Sequence, residues 1–63
     1  MRRLQVEALV APGFRRIVTS APAETVDDVL RIARSYHGDV VRPWVFDAES
    51  REVLYRWSKD DQR

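Results

Sequence analysis

The residue best suited to acid–base chemistry in this 63-residue sequence is its only histidine, His37. An unperturbed histidine titrates near neutral pH, so it can donate or accept a proton under physiological conditions. A nearby hydroxyl, Ser35, lies two positions earlier in a segment of helical periodicity, and side chains two apart on a helix do not face each other. We therefore interpret His37 as a helix-end cation or a residue at the margin of the core.

Three carboxylates, Asp47, Glu49 and Glu52, surround one loop and could offer oxygen ligands to Ca²⁺ or Mg²⁺. Their spacing matches no EF-hand, and the loop lacks the glycine that its sharp turn needs. Zinc sites use several cysteine and histidine ligands, whereas this sequence has no cysteine and one histidine. Its only glycines, Gly13 and Gly38, cannot form a phosphate-binding loop. We therefore predict no metal, no cofactor and no enzymatic activity.

Two arginine pairs suggest nucleic-acid binding as an alternative, with the first hairpin acting as a β-ribbon in a groove. The net charge is only +1 and the pI about 8.3, whereas nucleic-acid-binding domains usually have a pI above about 9. The pairs also lie about 30 Å apart along an extended hairpin, at about 3.3 Å per residue. The residues of this alternative are Arg15, Arg16, Arg2 and Arg3.

The elements that position these residues begin with a hairpin. Residues 4–10 alternate between apolar and polar types, as a half-buried strand does. Residues 14–19 are rich in aromatic and β-branched types, which favour a returning strand. Between them, Pro12 and Gly13 predict a turn.

A helix is predicted from Val26 to His37. Thr25 followed by Asp28 forms a capping-box variant, in which the hydroxyl accepts a hydrogen bond from the first helical turn. Apolar residues then recur with a spacing of 3.6 and make one stripe. Gly38 can adopt the positive φ that commonly ends a helix.

Residues 40–46 and 52–57 predict a second hairpin around a loop at 47–51. If Phe46 faces Val53, then Trp44 faces Tyr55, and this aromatic face is the expected seat of the helix. Val45 and Leu54 would then pair on the other face of the sheet. Pro43 cannot donate to a neighbouring strand, so its strand edge should be free or bulged. Arg51 occupies a loop position where positive φ is common.

These elements predict a single α+β domain over residues 1–63, with the order β-β-α-β-β. We expect a mostly antiparallel sheet of three or four strands, one helix on one face, and a frayed polar tail at 58–63. The order of the strands in the sheet does not follow from the sequence. Met1, Arg2 and Arg3 introduce no apolar run typical of a secretory signal, and no segment approaches the roughly 18 apolar residues of a membrane span. A cytoplasmic location is therefore expected.

The favoured functional hypothesis is a non-catalytic protein-interaction module. One helix cannot cover both faces of the sheet, so an apolar face remains for a homodimer partner or for another protein that the chain binds or inhibits. A free strand edge is a second possible contact. The residues expected at this interface are Val45, Leu54, Arg56, Pro43 and Trp57. On this interpretation Leu54→Asp weakens association and leaves the fold intact.

Overall fold

A computed structural model describes residues 1–58 and contains four strands and one helix in that range. In chain order they are β1 (Arg3–Val10), β2 (Arg15–Pro22), α1 (Val26–His37), β3 (Val40–Asp47) and β4 (Val53–Arg56). The strands form one sheet in the order β2-β1-β3-β4, and all neighbours are antiparallel. The predicted α+β class and β-β-α-β-β order are therefore confirmed. The predicted tail lies outside the described residues, except for Ser58.

The first hairpin turns one residue later than the sequence suggests. Val10 pairs with Arg15, and Phe14 remains in the loop with a φ of 52°. A non-glycine residue in this left-handed region cannot continue a strand, which is why β2 begins at Arg15. At the other end β2 continues to Pro22, opposite Arg3. A proline is tolerated there because it is the last residue of an edge strand.

Local signals define the helix, and its predicted bounds are confirmed. The Thr25 side chain accepts a hydrogen bond from the backbone N–H of Asp28 at 3.2 Å. At the other end Gly38 has a φ of 86°, and its N–H donates to the carbonyl of Arg34 at 2.8 Å. Both ends thus satisfy backbone groups that the helix leaves without partners.

The core lies between α1 and one face of the sheet. The helix contributes the buried residues Val29, Leu30 and Ala33. Alternate residues of β1 face them, because successive side chains of a strand point to opposite sides. The buried apolar sheet residues on this side are Leu4, Val6, Ala8, Val10, Ile17 and Val45.

A bulge interrupts the pairing of β1 with β3, which confirms one of the two alternatives predicted at Pro43. Glu7 pairs with Trp44 and Leu9 with Val41, so that two residues of β3 occupy the space opposite one of β1. Arg42, within this bulge, has a φ of 53°. A bulge suits a proline because it removes the need for a donor at that point.

A second irregularity makes two predicted pairs wrong. Phe46 faces Val53 as expected, but Val45 pairs with Tyr55 and Trp44 with Arg56. Leu54 is therefore an extra residue in β4, and it shifts the register by one position. Trp44 does not face Tyr55, and Val45 does not pair with Leu54. The positive φ predicted at Arg51 is confirmed at 69°.

The helix covers the sheet face opposite to the predicted one. Val45 is fully buried, whereas Trp44 is 43% exposed. The reason is the pairing of Val45 with Val6, which belongs to the apolar stripe of β1 and must face the core. The second hairpin does not specify this constraint by itself, because the constraint comes from β1.

Candidate interaction surface

The sheet face that points away from α1 is called the open face here. Its members follow from the register, because directly paired residues of antiparallel strands share a face. They are Gln5, Glu7 and Leu9 of β1, Arg16, Val18 and Ser20 of β2, Val41, Trp44 and Phe46 of β3, and Val53 and Arg56 of β4.

The open face combines exposed apolar surface with arginine. Val18 is 54% exposed and Val53 is 51% exposed, one on each outer strand, and the partly exposed Trp44 lies between them. The guanidinium carbon of Arg56 lies 5.6 Å from the centroid of the Trp44 ring. Such a contact holds the cation and the ring together at the surface and contributes about 0.5–1 kcal/mol.

Phe46 belongs to the same face but is only 7% exposed. The guanidinium of Arg51, in the loop before β4, lies over its ring at 5.8 Å. The ring of Phe46 is therefore covered within the chain and is not available to a partner.

A depression of about 360 Å³ lies on the open face beside the β1–β3 bulge. Side chains of opposite charge and apolar character line it: Glu7, Leu9, Arg16, Arg42 and Trp44. Ala8, the residue opposite the bulge, also lines it.

Two cations of the depression are held in place by neighbouring side chains. Arg16 donates to the carboxylate of Glu7 at 2.7 Å, and this ion pair is solvent-exposed. Arg42 lies over the ring of Trp57 at 5.2 Å. Trp57 is itself positioned by its backbone N–H, which donates to the carbonyl of Pro43 at 2.9 Å. Arg42 could not be placed at this depression from the sequence, because the bulge in which it lies depends on pairing with β1.

The structure separates the five residues expected at the interface. Val45 and Leu54 belong to the helix side, since Val45 is fully buried and Leu54 is half-buried against the core. Their assignment to an uncovered face is wrong. Arg56 is exposed on the open face, while Pro43 and Trp57 are half-buried at the bulge.

The arginines of the nucleic-acid alternative are not brought together. Arg3 pairs with Pro22 at one end of the first hairpin, and Arg15 pairs with Val10 at the other. Arg2 lies 3.8 Å from the carboxylate of Asp47. Of this set only Arg16 lines the depression on the open face, so Arg2, Arg3, Arg15 and Arg16 form no single patch.

Two of the residues first considered for acid–base and metal chemistry, His37 and Asp47, have local structural partners. The Nε2 atom of His37 lies 3.0 Å from the hydroxyl of the buried Thr19. Asp47 accepts hydrogen bonds from the backbone N–H groups of Ser50 at 3.0 Å and Glu49 at 2.9 Å. These bonds lower the pKa of Asp47 from its ordinary value of 3.8, because they favour the ionised form. Over residues 1–58, no three His, Asp or Glu side chains are grouped to hold a metal ion.

Comparison with known proteins gives no further guide to this surface. No family model matches the chain, and no curated protein or solved structure matches it either. In the part of the chain that the structure describes, no helix has the length and apolar character needed to cross a membrane.

Proposed function

We propose that this chain is a non-catalytic module that binds another protein through its open face. The observation that carries the proposal is the exposure of Val18, Trp44 and Val53 on one side of a sheet whose other side is covered by α1. Burial of such surface against a partner is favourable, at roughly 25 cal/mol per Å² of apolar area. Tryptophan and arginine, which are adjacent here, are the residue types that contribute most to protein interfaces.

The charge of the open face favours a different protein over a second copy of this chain. Arg16 and Arg56 lie on the face, and Arg42 and Arg51 add two guanidinium groups at its margin, against the carboxylate of Glu7. Two copies packed face to face would bring these cations together, which is unfavourable. We therefore expect a monomer in light scattering across a dilution series. A dimer that persists at micromolar concentration would instead support the homodimer.

The size of the open face favours a small or transient contact. The three long strands each have eight residues and β4 has four. The long strands therefore make a face of about 26 Å by about 14 Å, and β4 adds a strip of about 13 Å by about 5 Å. The resulting flat area of about 440 Å² is small beside the roughly 800 Å² of accessible surface that each partner buries in a standard interface. A weak or peptide-like contact therefore fits this surface better than an obligate dimer.

Site-specific photo-crosslinking in cells tests the proposal. A photoreactive amino acid replaces Val53 on the open face or, as a matched control, Tyr36 on α1, which is 76% exposed. We expect a discrete adduct from position 53 that resists nuclease, is absent from position 36, and is lost when Trp44→Ala is added. Equal adducts from both positions, or an adduct unaffected by Trp44→Ala, would contradict the proposal.

A cytoplasmic location is part of the same proposal. Fractionation of the cells used for crosslinking tests it directly, and recovery of the adduct in a membrane or secreted fraction would contradict it.

A further inference from the structure

The residues that line the depression on the open face suit a partner that carries an apolar side chain next to a negatively charged group. Leu9 and Trp44 supply apolar walls, and Arg16 and Arg42 place guanidinium groups at its edge. Arginine forks match carboxylates closely because they can donate two parallel hydrogen bonds.

One contact within the chain already displays this chemistry. The carboxylate of Glu7 accepts a hydrogen bond from Arg16 at 2.7 Å at the depression. Glu7 is the one acid among the residues that line it in the described part of the chain. The carboxylate of a partner that reached Arg16 would therefore compete with Glu7 for the same guanidinium.

We propose that the partner of the open face presents an acidic segment, with an apolar side chain seated between Leu9 and Trp44 and carboxylates bound by Arg16 and Arg42. This inference rests on the proposed function and names the chemistry of the partner. Charge complementarity supports it, as does the small area of the face, which suits a segment better than a domain.

The exposed rings of the face favour a protein segment over single-stranded nucleic acid. Nucleic-acid surfaces without sequence preference stack successive bases on several aromatic side chains. On this face Phe46 is almost fully covered, and Trp57 is half-buried beneath Arg42. Trp44 is the ring that remains, and its exposed neighbours Val18 and Val53 are aliphatic.

The test is a nuclear magnetic resonance titration of the ¹⁵N-labelled full chain with a blocked peptide of three glutamates, a leucine and three glutamates. Two control peptides carry lysine for every glutamate, or serine for the leucine. We expect the acidic peptide to shift the amide signals of Leu9, Arg16 and Arg42 and the indole signal of Trp44. Both control peptides should bind more weakly, and added salt should weaken binding because exposed charges are screened.

Variants of the chain make the titration specific. Arg42→Gln should raise the dissociation constant by about two- to fivefold, the range expected for one exposed ion pair. Arg31→Gln on α1 makes the same change of charge away from the face and should have no effect. Glu7→Gln should tighten binding, because it removes the internal competitor for Arg16. A purely structural role of Glu7 would not produce that gain.

Several results would overturn the inference: equal shifts with the lysine peptide, no tightening with Glu7→Gln, or an equal effect of Arg31→Gln and Arg42→Gln. Tighter binding of an oligothymidylate to the same signals would assign the face to nucleic acid. When the crosslinking is repeated in a cell lysate, the acidic peptide should also reduce the formation of the adduct from position 53. If the adduct forms in the same amount in excess peptide, the acidic partner is wrong and the proposed protein-binding function stands. If no adduct forms at all, the proposed function fails independently.

Discussion

Replacement of Val45 by alanine tests directly which face of the sheet lies under the helix. Val45 is fully buried, and it pairs with Val6 in β1 and with Tyr55 in β4. The substitution removes two buried methyl groups without adding any polar atom. Its effect therefore measures packing alone.

The expected loss of stability is about 2–3 kcal/mol. Transfer of two buried carbon groups contributes about 1.6 kcal/mol, and a cavity that closes only in part adds to this. A chain of 63 residues has a total stability of about 3–9 kcal/mol, at roughly 0.05–0.15 kcal/mol per residue. Val45→Ala should thus remove a large fraction of the free energy of unfolding and lower the Tm by about 10–20 °C.

Urea unfolding followed by far-ultraviolet circular dichroism measures this effect, and Val53→Ala is the matched control. Val53 has the same side chain in the same hairpin but is 51% exposed on the open face. Its substitution should change stability by no more than about 0.5 kcal/mol. If Val53→Ala costs as much as Val45→Ala, or more, the assignment of the two faces is wrong.

Substitutions at four further positions address individual features of the fold. Leu54→Asp should destabilise or unfold the chain, because Leu54 packs against the core. The sequence alone had predicted an intact fold for this variant. A cooperative thermal transition near that of the unmodified chain would refute the structural prediction. Thr25→Ala should cost about 1 kcal/mol in urea unfolding through loss of the helix cap, and no change would show that the cap contributes nothing. Arg51→Gly should be more stable than Arg51→Ala by about 1 kcal/mol, because both variants lose the guanidinium group but only glycine adopts a φ of 69° without backbone strain. Equal stabilities of the two variants would contradict the argument. Hydrogen bonds lower the pKa of Asp47 in the folded chain. Its contribution to the free energy of unfolding is therefore fully present above the pKa that Asp47 has in the unfolded chain, and it is lost as the pH falls through the lower pKa of the folded chain. Asp47→Asn should therefore reduce the loss of stability below about pH 4. Urea midpoints of the variant and of the unmodified chain, measured from neutral to acidic pH, test this. The same dependence of the midpoint on pH in both chains would contradict the argument.

Interactions close in sequence determined what could be predicted without the structure. Thr25 and Gly38 define the two ends of α1 through hydrogen bonds within one helical turn, so both ends were predicted correctly. The positive φ of Arg51 follows from the short loop in which it lies. The alternation of β1 indicated its buried stripe for the same reason, since the period of a strand is local.

The tertiary structure alone decided which face of the sheet the helix leaves uncovered. Val45 is buried because β3 pairs with β1, a contact between distant parts of the chain that neither hairpin specifies by itself. The extra residue Leu54 then changes the pairing within the second hairpin, because one added residue reverses the side to which the following side chains point. The sequence determined the elements and the buried stripe of β1. The pairing of β1 with β3, together with the extra residue Leu54 in β4, determined that Trp44 and Arg56 share the uncovered face.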